Sequence, residues 1–166
     1  VKKPADVIEV TLQPGDFYFG GANTRISTLL GSCVSITAWH PKRLIGGMCH
    51  YLLPGRDIKN EDAKGRYADD AMDLLLASVQ QHNTQLNDYQ IKIFGGGEMF
   101  SRHLQKGLLS IASRNIQAAV TLMAQHHLTP VSQDVGLYGH RTVIFDVWNG
   151  NVWVRYKPSM DTKKCR

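Results

Sequence analysis

The sequence predicts a single layered α/β sandwich domain with a mixed β-sheet and two main helices. Three observations carry this prediction. Segments of alternating apolar residues flank two segments whose apolar residues recur at helical spacing. A hairpin signature near the C-terminus demands antiparallel pairing, so the sheet is mixed rather than purely parallel. The 166 residues amount to about one ordinary domain, long enough to bury a core without disulfide staples. The domain is expected to span 1–166, with its core at about 7–156 and a basic tail over 157–166.

Val7-Ile8-Glu9-Val10-Thr11-Leu12 reads as the first strand, and Gly15, Gly20 and Gly21 then mark turns. A β-rich region follows from Ile26 to Leu53. From Tyr67 the period changes: Ala68, Ala71, Met72, Leu75 and Val79 fall on one helical stripe, with Asp69, Asp70 and Asp73 near the N-terminal end, where the helix dipole favours anions. Ile91-Lys92-Ile93-Phe94 is a short strand running into Gly95-Gly96-Gly97. Ile116, Ala119, Val120 and Met123 supply a second helical stripe that ends near His126-His127. Adjacent histidines point in different directions, so this pair reads as a helix terminus rather than a metal site. Val143, Phe145 and Val147 alternate, Asn149-Gly150 fits a type I′ turn, and Val152, Val154 and Tyr156 alternate back.

Composition excludes several classes. No apolar run approaches the eighteen or so residues that a membrane span needs, and Val1-Lys2-Lys3-Pro4 is not followed by a signal-peptide core, so a cytoplasmic protein is expected. Three cysteines (Cys33, Cys49 and Cys165) form neither an even framework nor a CxxC pair, which favours free thiols. Cys165, near a charged terminus, reads as a thiol without a role. The net charge of +5 is compatible with nucleic acid, an anionic surface or an acidic protein partner. The basic clusters Lys2-Lys3, Lys42-Arg43 and Lys163-Lys164-Arg166 are not interleaved with aromatics, and no groove-reading motif accompanies them. A solvated basic surface without nucleic-acid binding is therefore expected.

The residues with the most chemistry lie in Thr28-Leu29-Leu30-Gly31-Ser32-Cys33 and Gly46-Gly47-Met48-Cys49-His50. If Pro41-Lys42 are the two turn residues between them, Cys33 and His50 face each other across a hairpin with Cβ atoms ~5 Å apart. Cys49 then falls on the opposite face, which argues against a zinc site built from all three. A bulge at Gly46-Gly47 would exchange the two cysteines' roles. A buried structural thiol and a packed histidine are the competing reading of the same residues. Gly31 permits a sharp bend before Ser32-Cys33 and close approach of a substrate to the peptide N–H groups.

The runs STLLGSCVSITAWHP and GGMCHYLLP, followed by YADDAMDLL, KIFGGGEMF, SRNIQAA and DVG, resemble in one order the CheD family of chemoreceptor glutamine deamidases. The resemblance covers about Ser27 to Tyr156. It implies hydrolysis of glutamine side chains on cytoplasmic chemoreceptor helices, a fold related to that of glutamine-deamidating toxins, and no cofactor or metal. The family's cysteine falls on Cys33 and its histidine on His50. Its threonine, six residues before the cysteine, falls on Ser27, which keeps the hydroxyl and would orient the imidazole. Two departures, Glu98 after the three glycines and the segment Val135 to Arg141, bear on loop shape and partner contacts.

On this reading His50 draws the proton from Cys33 to make a thiolate, and a thioester with the substrate follows. Gly31 and Ser32 would contribute to substrate binding, with backbone N–H groups there as oxyanion donors. Met99 and Phe100 are candidates for gripping the substrate helix, although one turn of core-facing helix is an equally good reading of them. Positive charge is expected to assist encounter with glutamate-rich receptor helices. The alternative function is a non-catalytic binding module that engages receptors or a CheC-type phosphatase, and a monomer is expected.

Overall fold

In the computed structural model, which describes residues 2–55, 65–99 and 109–159, nine strands form two sheets. The first sheet has the order β1 (Ile8–Leu12), β3 (Thr24–Leu30), β8 (Gly139–Asp146), β9 (Asn151–Pro158). The second has the order β2 (Phe17–Gly20), β5 (Ile45–Cys49), β4 (Val34–His40), β6 (Gln90–Gly95), β7 (Ser132–Val135). Both are mixed: β1–β3 and β6–β7 pair in parallel, the rest antiparallel. Two helices, α1 (Ala68–Gln81) and α2 (Ile111–Gln125), pack on the second sheet. The fold is thus a layered α/β sandwich with two mixed sheets.

Two apolar clusters follow from strand alternation. Leu12, Ile26, Leu30, Met48, Phe94, Val143, Phe145 and Val147 fill the space between the sheets. Val34, Ile36, Cys49, Tyr51, Ile91 and Ile93 face the other way, against Ala71, Met72, Leu75 and Val79 of α1 and Ala119, Leu122 and Met123 of α2. The stripe expected on α1 is buried throughout. On α2 the expected stripe needs correction. Val120 is half exposed at 51%, and the buried set is Ala112, Asn115, Ala119, Leu122 and Met123, with a polar residue inside it.

Both hairpin turns are two residues longer than expected. β4 and β5 are joined by Pro41 to Leu44, with Leu44 at φ 51°, and His40 pairs with Ile45. β8 and β9 pair from Asp146↔Asn151, so the turn is Val147 to Gly150, and of Asn149-Gly150 only Gly150 has positive φ, which rules out type I′. The apolar residues of this turn explain its length. Val147 and Trp148 are buried, the Val147 carbonyl accepts the Trp39 indole N–H at 2.7 Å, and Gly150 lies on the Trp39 ring. Lengthening a turn by two leaves parity intact, so every strand keeps its expected face.

The chain leaves the first sheet at Leu30, bends through Gly31 and Ser32, and enters the second at Val34. That crossing carries Cys33.

Candidate functional site

Cys33 lies just before β4 and His50 just after β5, on either side of the backbone bridge between Val34 and Tyr51. Continued through that bridge, the ladder puts Ser35 rather than Cys33 opposite His50. Cys33 and His50 are therefore diagonal neighbours on one face, not the directly opposed pair that a two-residue turn implies. Diagonal positions are within reach of a ring side chain. Both side chains turn toward the first sheet: half-buried Cys33 packs against the inter-sheet cluster, and His50, 2% exposed, reaches Thr28. Cys49 points into the helix-facing core, where its sulfur accepts the Ile36 N–H at 3.3 Å and burial pushes its thiol up to about 12. Among the described residues no three of His, Cys, Asp and Glu converge as metal ligands.

The hydroxyl beside His50 belongs to Thr28, not Ser27. Thr24, Ile26, Thr28 and Leu30 form the buried face of β3, while Ser27 faces outward and meets Thr11 at 3.2 Å. Counting six residues back from the cysteine selects Ser27. The alternation of β3 places Thr28 inside. Thr28 Oγ1 lies 2.9 Å from the Leu12 carbonyl and 2.8 Å from His50 Nδ1. A carbonyl can only accept, so the single hydroxyl proton goes to Leu12, and Nδ1 must donate its N–H to Oγ1. This fixes the tautomer and leaves a lone pair on Nε2, which is buried without a hydrogen-bond partner among the described residues.

The His50 backbone is held on both sides by the turn before β2: its N–H donates to Asp16 and its carbonyl accepts from Gly15, which has φ 94°. Burial lowers the imidazole pKa to about 4, against a smaller upward pull from the Asp16 carboxylate. Burial also raises the Cys33 thiol, and the nearby Cys33 N–H only partly offsets this. Desolvation therefore favours a neutral thiol beside a neutral imidazole.

All three carbonyls of the crossing are occupied. Gly31 accepts from the Gly97 N–H and Cys33 from the Gly96 N–H, each at 2.8 Å, and Ser32 accepts from the Asn115 side chain at 3.0 Å. A Cβ at Gly95, where φ is 109°, would run into the Cys33 carbonyl. Met99 lies beside the crossing, with its sulfur 3.0 Å from where a Gly31 Cβ would stand, and is 37% exposed. Glu98 accepts from the hydroxyls of Ser110 and Ser113 and so ties the glycine loop to the start of α2. Phe100 and Cys165 lie outside the described residues. Sequence reasoning missed Thr28, Gly15, Asp16 and Asn115. Thr28 had a visible signal in its parity with Ile26 and Leu30, Gly15 was read only as a turn, and Asn115 lies within the run SRNIQAA without a role having been given to it.

A fixed imidazole tautomer with a free buried nitrogen, on the same side of a sheet as a half-buried thiol, defines a class of site suited to thiol-based acyl transfer. Comparison with known proteins identifies the family. Residues 52–156 match the family model described as CheD chemotactic sensory transduction, a span that begins just past His50. A protein of Pseudomonas fluorescens (strain SBW25) named "Probable chemoreceptor glutamine deamidase CheD" is 54% identical over 159 residues, covering 95% of this chain and 90% of the relative. One of the same name from Pseudomonas syringae pv. tomato (strain DC3000) is 45% identical over 165 residues, covering 99% and 98%. "Probable chemoreceptor glutamine deamidase CheD 3" of Dechloromonas aromatica is 44% identical over 161 residues, covering 96% and 94%. The chain belongs to the CheD family.

Proposed function

We propose that this protein hydrolyses the side-chain amides of specific glutamines on the cytoplasmic helices of chemoreceptors, giving glutamate and ammonia. Cys33 is the nucleophile and His50 the acid–base group. The observation that carries the reading is the Nε2 of His50, a buried lone pair without a partner among the described residues, held in the accepting tautomer by Thr28 on the face that Cys33 shares. The names of the relatives support the substrate class.

Because burial disfavours both charged forms, proton transfer accompanies attack. The Cys33 S–H proton passes to Nε2 as sulfur bonds to the glutamine Cδ, and the carbonyl π electrons move onto oxygen. The oxyanion collapses, the C–N bond breaks, and the imidazolium returns its proton to the departing ammonia. Nε2 then takes a proton from water, whose oxygen attacks the thioester. Collapse expels the Cys33 sulfur, which recovers the proton, and glutamate remains. The chain's own residues supply every proton transfer.

The test is peptide mass spectrometry of a purified glutamine-bearing receptor fragment incubated with wild type, Cys33→Ala and His50→Ala. Conversion of particular glutamines to glutamate by wild type alone is the expected result. Full activity in Cys33→Ala would sink the thiol mechanism. Absence of any amide change, with fragment binding retained by every form, would leave a binding module.

A further inference from the structure

We infer that Asn115 is a positioning residue for this reaction: its side-chain amide holds the Ser32 carbonyl and, through the planar peptide, aims the Cys33 N–H at the oxyanion formed on the substrate carbonyl. The inference rests on the thiol mechanism proposed above.

Asn115 is fully buried in the stripe of α2 that faces the second sheet. Its Nδ2 donates to the Ser32 carbonyl at 3.0 Å and to the Leu52 carbonyl at 2.8 Å. Both partners can only accept, so the amide orientation is fixed by chemistry, and neither aspartate nor leucine would serve. Ser32 precedes the nucleophile by one residue and Leu52 follows the histidine by two, so one side chain links the arms that carry Cys33 and His50. The Tyr51 hydroxyl, donating to the Asn115 carbonyl at 2.7 Å, secures the helix at the same point. Among the described residues Asn115 Oδ1 is buried without a partner, a cost accepted where both N–H groups are committed.

In a trans peptide the C=O and N–H point in opposite directions. With the Ser32 carbonyl drawn toward α2, the Cys33 N–H points away from the helix layer, to the side where the Cys33 side chain packs. No backbone carbonyl among the described residues accepts it, and it lies against its own sulfur. A tetrahedral adduct on that sulfur would place its oxyanion next to this donor. The carbonyls on either side are fixed by backbone N–H groups of the glycine loop, so the orientation of this one peptide depends on a side chain.

The experiment compares two reactions of Cys33 in the full-length protein. Deamidation needs an oxyanion donor, whereas alkylation by iodoacetamide displaces iodide at carbon and needs none. Asn115→Ala should lower the deamidation kcat roughly 30-fold or more with KM little changed, while Cys33 alkylation, followed by mass spectrometry, stays within about threefold. Equal losses in both reactions would mean that Asn115 merely supports the fold or the dyad, and an unchanged kcat would mean that it does nothing; either overturns the inference. Should Asn115→Ala not fold, wild-type protein with a glutamine-aldehyde peptide decides: the Cys33 amide proton must move downfield on hemithioacetal formation, and an unmoved proton overturns the assignment. Cys33→Ala is the control. If it still deamidates, the thiol mechanism falls; if it is inactive beside an unimpaired Asn115→Ala, only the role of Asn115 falls.

Discussion

Thr28 and Ser27 are adjacent hydroxyl residues on opposite faces of one strand, and the chemistry distinguishes them. Thr28→Val removes the oxygen that receives the Nδ1 proton and frees the Leu12 carbonyl, so the imidazole can adopt the wrong tautomer. Activity should fall roughly ten- to a hundredfold, less than the ~10⁴ seen where a buried carboxylate holds a catalytic histidine. Thr28→Ser should recover most of it, and Ser27→Ala should stay within about twofold of wild type on the receptor fragment. A large loss in Ser27→Ala with Thr28→Val unaffected would reverse the assignment. His50 also sets a pH response. Its folded pKa of about 4 lies below the ordinary 6.5, so between those values the unfolded chain binds the proton first. Stability contributed by the neutral ring is present above pH 6.5 and is lost as pH falls toward 4, by on the order of 3 kcal/mol. Urea midpoints at pH 7.5 and 4.5 should show this slope in wild type and a shallower one in His50→Asn. The kcat/KM profile should keep its acid limb near 4 rather than 6.5. That Cys33 and His50 share one face and Cys49 takes the other was readable from spacing and strand alternation. The tautomer was not, since it depends on a carbonyl in β1 brought beside β3 by parallel pairing.

At the scale of elements, strands and helices were legible wherever one period ran uninterrupted, and turn lengths were not. Two-residue turns were the natural reading of Pro41-Lys42 and Asn149-Gly150. The folded chain prefers four-residue turns because Val147 and Trp148 find burial within one of them. Asn115 was hidden for a related reason: a search for apolar periodicity passes over an amide in a buried stripe, and its two carbonyl partners come from distant segments. The glycine loop after β6 leads to a prediction of its own. Gly95→Ala meets both positive φ and the Cys33 carbonyl, so it should cost about 2–4 kcal/mol in urea denaturation and depress activity. Gly21→Ala, where a methyl would meet nothing within 4 Å, should change stability by about 0.5 kcal/mol or less. Similar costs for the two would mean that the loop yields where the geometry says it cannot.

At the scale of the whole molecule, the site is a seam. Thr28 belongs to the first sheet, whereas Cys33 and His50 stand at the ends of two inner strands of the second, so their relation depends on how the sheets pack. The helix layer bears on the far side of the second sheet through a separate cluster. Matched deletions can tell the two apart. Val143→Ala opens the inter-sheet core and Val79→Ala the helix-facing core; both residues are buried, and each truncation should cost ~1–3 kcal/mol. Assayed well below either melting point, both variants are folded, and stability alone predicts equal activity. The seam predicts otherwise: Val143→Ala lets Thr28 shift against His50 and should lower kcat several-fold with KM unchanged, while Val79→Ala keeps kcat within about twofold. Equal kcat in the two variants would show that the dyad is set within the second sheet alone, and that Thr28 follows its position rather than fixing it.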